Sequence, residues 1–321
     1  MMVHKHNSQG MALLMALVML AIASSLAVGI WYNSQLSVAR INNLQKSYQA
    51  KHYSQGMLLW ASDILREDYA QDENQHDSSL DPWLQGIRGM IVEDAVLSGT
   101  LVGLNGRFNV NNLIVNGLVS DSHLIYFRNL LLALELDVGL ADKVVDWIDA
   151  DQVPQPNGAE DFVYLAKSPS YKTSSTYFKH IEELSLLDGL SVEDFDRLSP
   201  FVSALPVQNK ATRMNVNTMP PVMISALHSQ ISNDMAVRLY QEGRANFTNI
   251  EDFFQHEAIR YVPREIMRAE IEQLISTQTL YLQASSQVQM EETSFIMYAL
   301  LVRNNTGNAQ VLSRSSSPYL P

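Results

Sequence analysis

The spacing of apolar positions changes several times along the chain, and each change marks a different element. Residues 6–39 contain no Asp, Glu, Lys or Arg. Within them the 22 residues Met11–Tyr32 (MALLMALVMLAIASSLAVGIWY) are apolar or aromatic apart from Ser24, Ser25 and Gly29. As α-helix such a segment rises about 33 Å, enough to cross the hydrocarbon core of a bilayer. A cleaved secretory signal has a shorter apolar run that ends in a small-x-small site. Here the run leads without a break into an amphipathic pattern: Leu36, Ile41, Leu44, Tyr48, Tyr53, Met57, Leu58 and Ala61, with Arg40, Lys46 and Lys51 between them. No proline occurs before Pro82. The pattern predicts one helix of about 55 residues that begins in the membrane and protrudes from it.

Residues 63–93 are polar and acidic, and Asp72–Asp77 (DENQHD) predicts an exposed loop. Beyond it Ala95–Val102 and Arg107–Val110 flank Leu104-Asn105-Gly106, and Asn-Gly between apolar stretches predicts a hairpin. At the other end of the chain Thr279–Gln289, Thr293–Val302 and Ala309–Ser315 alternate like strands, with Asn304–Asn308 (NNTGN) as a turn. These predict an antiparallel meander completed by the hairpin near Asn105. The fold class is therefore α+β, with a helical region of residues 113–275 inserted between strands of one sheet.

That inserted region contains a repeat. One copy opens GRFNVNNL, with Asn109, Asn111 and Asn112; the other opens TRMNVNTM, with Asn215, Asn217 and Thr218. In each, an apolar helix follows (Ser122–Leu136; Pro221–Gln230), then a second (from Gly139; from Asp234). Each closes on a similar phrase, FKHIEEL from Phe178 and FTNIEDF from Phe247. An Asn in Asn-x-Asn can bond its own backbone and cap the helix that follows. His180 has no partner in the motif and reads as a surface residue.

The copies differ in length: 69 positions separate Asn109 from Phe178, but 32 separate Asn215 from Phe247. Most of the surplus is Asp149–Lys172 (DADQVPQPNGAEDFVYLAKSPSYK), where Pro154, Pro156, Asn157, Gly158 and Pro169 argue against regular structure. Asp146, Asp149 and Asp151 lead into it, and Glu160 and Asp161 follow the Asn157-Gly158 turn. Alternating hard oxygen donors around a glycine suit Ca2+, though the spacing is not that of an EF-hand. A solvated acidic loop is the other reading of the same residues.

Composition narrows the classes. Apolar content of 46% over 321 residues supports a packed core. The net charge of −12 gives no drive toward phosphate backbones and favours divalent cations. There is no cysteine, which excludes disulfides, thiolate metal sites and cysteine nucleophiles. Neither a phosphate-binding glycine loop nor HExxH or GxSxG is present. Glu182-Glu183 and Glu291-Glu292 are sequence neighbours and read as solvated acids, so the chain is not expected to be an enzyme. His4, Lys5 and His6 flank the apolar run and place the N-terminus in the cytoplasm, with the bulk across the membrane.

A short basic leader ending in Gly10, then Met11-Ala12-Leu13-Leu14 and an apolar helix, resembles the leader of type IV pilins and type II secretion pseudopilins. The resemblance implies cleavage after Gly10 by a prepilin peptidase, methylation of the new N-terminus at Met11, and a pilin-like sheet on a membrane-spanning spine. The fifth residue after that site, usually Glu, is Met15. Its absence, both repeats and the phrase DWIDAD…GAEDFVYL are similar to the minor pseudopilin K family. That likeness implies an inner-membrane protein with one pass and a periplasmic C-terminal domain. It also implies Ca2+ at Asp146, Asp149, Asp151, Glu160 and Asp161, and the I- and J-type minor pseudopilins, the pseudopilus and the secretion platform as partners. It implies a place at the pseudopilus tip, where assembly starts. The expected layout is a leader (1–10), a spine helix (11–62), a pilin-like α/β domain (63–112 and 276–321) and the inserted helical domain (113–275). The repeats also resemble helix-hairpin-helix modules of DNA-uptake proteins, the alternative reading. Their hairpin positions, Asp137-Val138-Gly139-Leu140 and Ser232-Asn233-Asp234-Met235, lack the Gly-x-Gly that holds a phosphate, and no nucleic-acid partner is expected.

Overall fold

The computed structural model describes residues 8–71, 76–207, 210–240, 245–260, 268, 270–291, 293–304 and 306–316. Its first element, α1 (Ser8–Gln71), is one helix of 64 residues, about 96 Å long. It ends nine residues beyond the expected spine, because nothing between Leu58 and Gln71 breaks a helix and an Asp63–Arg66 pair (3.0 Å) bridges adjacent turns. Ala50, Ser54, Met57, Leu58 and Leu65 fall at helical spacing and are buried on one face. The large apolar side chains from Met11 to Tyr48 are exposed. The packed face thus starts at Ala50, and the expected apolar positions Leu36, Ile41, Leu44 and Tyr48 have no cover.

After the spine the chain turns into β1 (Ile87–Val92) and β2 (Ala95–Gly103), an antiparallel hairpin closed by Glu93 and Asp94. Glu93 takes the positive φ that such a tight turn needs. This is the hairpin that the sequence pattern placed around Asn105-Gly106. Asn105 is instead buried at a junction. Its Oδ1 accepts from the backbone N–H of Leu280 (3.0 Å) and Tyr281 (2.8 Å), and its Nδ2 donates to the Arg213 carbonyl (2.8 Å). A Cβ on Gly106 would sit 2.7 Å from the Thr218 carbonyl oxygen, so that glycine serves a close backbone approach.

The helical region follows. Its first half holds β3 (Phe108–Asn109), β4 (Ile114–Val115), β5 (Leu118–Val119), α2 (Asp121–Ala133), α3 (Leu140–Ile148), α4 (Asp161–Leu165), α5 (Val192–Leu198) and β6 (Val202–Ser203). Its second half holds β7 (Met214–Asn215), α6 (Pro221–Ser225), α7 (Asn233–Leu239), α8 (Ile250–Gln255) and β8 (Ile275–Ser276). The repeat is visible in three dimensions. β3 pairs in parallel with β6, and β7 with β8. In the first half Asn111 grips the Phe178 backbone from both sides: its Nδ2 donates to the carbonyl (2.9 Å) and its Oδ1 accepts from the N–H (2.9 Å). Asn217 grips Phe247 in the same way (2.9 and 2.7 Å). Asn109 and Asn215 accept from the N–H two residues on, as expected of Asn-x-Asn. The second Asn of each motif caps no helix and instead holds the segment that closes its repeat. One continuous core fills both halves, from Phe108 to Ile275.

The chain then returns as β9 (Tyr281–Met290), β10 (Thr293–Arg303) and β11 (Ala309–Ser315), giving an antiparallel sheet of order β1-β2-β9-β10-β11. Gly103 pairs with Leu282. The whole helical region therefore leaves and re-enters the sheet at one point between neighbouring strands, an insertion of 104–280 rather than 113–275. Alternate residues of β2, β9 and β10, among them Leu97, Leu101, Leu282, Ala284, Ala299 and Leu301, pack on Met57, Leu58 and Leu65 of α1.

Beneath this junction lies Asp77, buried rather than in an exposed loop. It forms an ion pair with Arg303, accepts from the Thr279 N–H (2.6 Å), and through its carbonyl accepts from Asn215 (3.0 Å) and Asn217 (3.1 Å). Asp72–Gln75 of that expected loop lie outside the described residues.

Candidate metal centre

The acidic constellation is built on the last turns of α3. Asp142 and Asp146 are four residues apart and share a face, and Asp149 is the residue that ends the helix. A helix C-terminus carries partial negative charge, so carboxylates there are unfavourable unless something positive answers them. The inserted loop folds back over this face. Asn157 donates to Asp142 Oδ2 through its backbone N–H and its Nδ2 (3.1 Å each), while Arg128 pairs with Asp142 Oδ1 (2.5 Å). The Gln155 N–H donates to both oxygens of Asp146 (3.0 and 3.2 Å). A Cβ on Gly158 would lie 1.8 Å from Asp146 Oδ2, so only glycine lets the loop close here. Trp147 meets Tyr164 of α4 edge-on at 5.3 Å and Phe178 face-on at 6.2 Å, which anchors the far side of the loop. The loop is thus less irregular than its prolines suggest. Pro154, Pro156 and Pro169 flank α4 without falling inside it.

These contacts bring three of the five expected residues together. One oxygen each from Asp146, Asp149 and Glu160 lies within 4.8 Å of the others. Asp146 and Glu160 are fully buried. Both Glu160 oxygens and Asp149 Oδ1 are buried without a hydrogen-bond partner, and among the described residues no Lys or Arg pairs with any of the three. Burial, then Asp146, Asp149 and Asp151, push the Glu160 carboxyl up to about 7. Burial, then Asp151 and Asp146, push Asp149 up to about 6. Asp146 is raised for the same reason, opposed by its backbone donors.

Asp151 stays exposed at the rim, its Oδ1 accepting from Val153 N–H (2.8 Å). Asp161 is turned away. Thr173 donates to its Oδ1 from the backbone (3.0 Å) and from its hydroxyl (2.9 Å), and Lys172 pairs with its Oδ2 (2.9 Å), which holds its carboxyl below the usual range. The position of Asp161 after Glu160 predicts a ligand, but Lys172 and Thr173 take it. Asp142, one helical turn before Asp146, joins the same acidic face and is not among the expected ligands. Holding three carboxylates together, with both Glu160 oxygens and Asp149 Oδ1 unanswered, is costly, and a hard cation with flexible oxygen coordination is the group whose chemistry matches them.

A second group, Asp68, Asp77 and Asp81, also converges within 4.8 Å. There Arg303 answers Asp77, and the Ser78 N–H (3.0 Å) and Trp83 Nε1 (3.1 Å) answer Asp81. Gly10 and Met11 lie exposed in α1, with nothing within 4 Å of where a Gly10 side chain would begin. At the corresponding turn of each repeat a side chain takes one backbone donor. Asp137 Oδ1 accepts from the Gly139 N–H (2.9 Å) and Ser232 Oγ from the Met235 N–H (3.2 Å).

Comparison with known proteins gives the family. Residues 106–207 match the family model described as type II secretion system protein K. The chain is 30% identical to the type II secretion system protein K of Pseudomonas aeruginosa, over 97% of this chain and 93% of that one. It is 31% identical to that of Klebsiella pneumoniae, over 67% and 68%. In fold it is similar to a chain in the crystal structure of the GspK-GspI-GspJ complex from the enterotoxigenic Escherichia coli type 2 secretion system. The TM-score is 0.74 at 21% identity, over 86% of this chain and 98% of that one. None of these relatives supports the DNA-uptake alternative. With the long apolar spine, the helical insertion between neighbouring strands and whole-length similarity at 30% identity, the chain belongs to the type II secretion system protein K family.

Proposed function

We propose that this minor pseudopilin of type II secretion works at the tip of the pseudopilus, where it starts assembly beside the I- and J-type minor pseudopilins. The observation that carries this reading is α1. Its first forty residues present large apolar side chains with no cover in the single chain, while its last twenty are packed under a sheet. Such a helix can sit in the inner membrane and against neighbouring spines while it holds a rigid periplasmic head. The likeness to a chain of the GspK-GspI-GspJ complex supports the choice of partners. The sheet on its spine supports the pilin-like reading, and the paired Asn clamps support descent of the insertion from a duplicated helix-hairpin-helix-type unit now used for protein contact.

Cleavage after Gly10 and methylation of Met11 belong to the same reading. So does Met15: an unpaired carboxylate inside a membrane is costly, and a subunit with no neighbour beyond it has no ammonium to neutralise. The test is secretion in a strain that lacks the chain. Restoration by the wild type, with Met15→Glu equal or worse, is expected. A clear gain from Met15→Glu would overturn the tip position.

Calcium completes the proposal. Asp146, Asp149 and Glu160 would hold it, with Asp151 at the rim. When bound, the ion supplies positive charge that ties the loop to α3. It would thereby stiffen one surface of the head. Melting of the purified full chain in detergent, with and without EDTA, tests the site.

A further inference from the structure

Apart from the acidic loop, a cavity of about 780 Å³ opens along the seam between the two repeats and the sheet. Ser120 and His123 enter it from the first repeat, Lys210 and Arg213 from the linker before β7, and Gln273 and Gln278 from either side of β8. Its charge is unlike that of the rest of the molecule. The chain carries −12, yet no carboxylate lines this cavity among the described residues. Lys210 and Arg213 are exposed and paired with no acid there. The neighbouring cavity that shares Gln273 has the opposite character, with Asp121 and Glu270 in its wall.

A second feature is independent of those charges. His123 is only 5% exposed, and its Nε2 is buried with no partner. The Ser120 hydroxyl lies 2.8 Å from Nδ1. With that hydroxyl donating to Nδ1, the ring proton sits on Nε2, a buried donor without an acceptor. Burial lowers its pKa to about 4, so the ring is neutral and offers one N–H. A buried donor left unanswered costs on the order of 1–3 kcal/mol. An acceptor from outside would remove that cost.

We infer that this cavity binds an acidic peptide segment, with a side-chain carboxylate between Arg213 and Lys210 and an oxygen on His123 Nε2. The volume is in the range of ligand pockets. A second cavity of about 540 Å³, along β10 and β11, shares Leu280 and Tyr281 in its wall, and two adjoining cavities suit extended chain better than a small anion.

The test uses the full chain in detergent with calcium saturating, and fluorescence polarisation of a labelled, end-blocked peptide containing two Asp. Binding that weakens with salt, fails for the Asn analogue and falls at least about tenfold in the Lys210→Gln/Arg213→Gln double variant is expected. Both side chains are exposed, so that variant keeps the fold. His123→Phe, which removes the donor and keeps an aromatic ring, should weaken binding at unchanged salt dependence. Equal affinity for the Asn peptide, or no effect of the double variant, would overturn the site. Competition by citrate without any peptide binding would overturn the peptide as ligand, and tighter binding of a single-stranded oligonucleotide would do the same.

Discussion

At the scale of single residues, Gly158 and Glu160 decide the loop. Gly158→Ala places a methyl group against Asp146 Oδ2. Overpacking of this kind costs about 1–3 kcal/mol, and it should also remove the thermal stabilisation given by calcium. Differential scanning calorimetry of the variant with and without the ion reads both effects. The carboxyls give a pH signature of definite sign. Glu160 moves from 4.5 up to about 7 and Asp149 from 3.8 up to about 6 on folding. The folded protein therefore keeps protons that the unfolded chain has released. Their contribution to stability is fully present below about pH 4 and is lost as pH rises through 6 and 7. The calcium-free protein should lose stability across that window. Calcium binds the deprotonated folded loop, and so should restore stability at the alkaline end, by about 2.7 kcal/mol at a hundredfold excess over its Kd. A calcium-free protein whose melting temperature does not fall from pH 5 to pH 8 would contradict this arrangement. Asp149 and Glu160 could be named from spacing alone. That both Glu160 oxygens and Asp149 Oδ1 find no donor could not, because Asp161, equally near in sequence, finds Lys172 and Thr173 only after the loop folds.

At the scale of elements, α1 was the most legible part, since composition and the lack of proline fix both its type and its continuity. Its packed face was less so. Apolar spacing runs from Leu36, but the sheet reaches only Ala50 and beyond, and no local signal says where a distant partner ends. The Asn-Gly hairpin failed for a related reason. Asn105 has turn chemistry, but Leu280, Tyr281 and Arg213, all remote in sequence, claim its side chain. The true hairpin turns on Glu93, which carries no turn signature. The repeats were legible as phrases, and the structure adds their purpose. Asn217→Ala should strand the Phe247 N–H and carbonyl and cost about 2–4 kcal/mol. Faster hydrogen exchange around Phe247 than around Phe178 would locate the damage, and Asn111→Ala should show the reverse. On α1, Gly10→Val should leave the leader uncut. N-terminal sequencing that finds Met11 first in that variant would sink the processing site.

At the scale of the whole molecule, the head is one insertion resting on one sheet, joined at Asp77 and Asn105. Asp77 touches β10 through Arg303, the entry to β9 through Thr279, and the second repeat through Asn215 and Asn217. Removing one partner of a buried ion pair typically costs about 3–5 kcal/mol. Asp77→Asn should therefore destabilise the head more than loss of the exposed Lys46–Glu291 pair between spine and sheet, as a chemical-denaturation comparison would reveal. Because this joint sets how the insertion sits on the sheet, it also sets what a subunit at the proposed tip would present to its neighbours. Affinity purification of the tagged full chain from its own membranes, with the other minor pseudopilins expressed beside it, tests that claim most directly. The account predicts recovery of the I- and J-type subunits in fixed ratio with this chain, lost when α1 is replaced by an unrelated membrane helix. Recovery of the chain alone, while those two subunits copurify with each other, would contradict it.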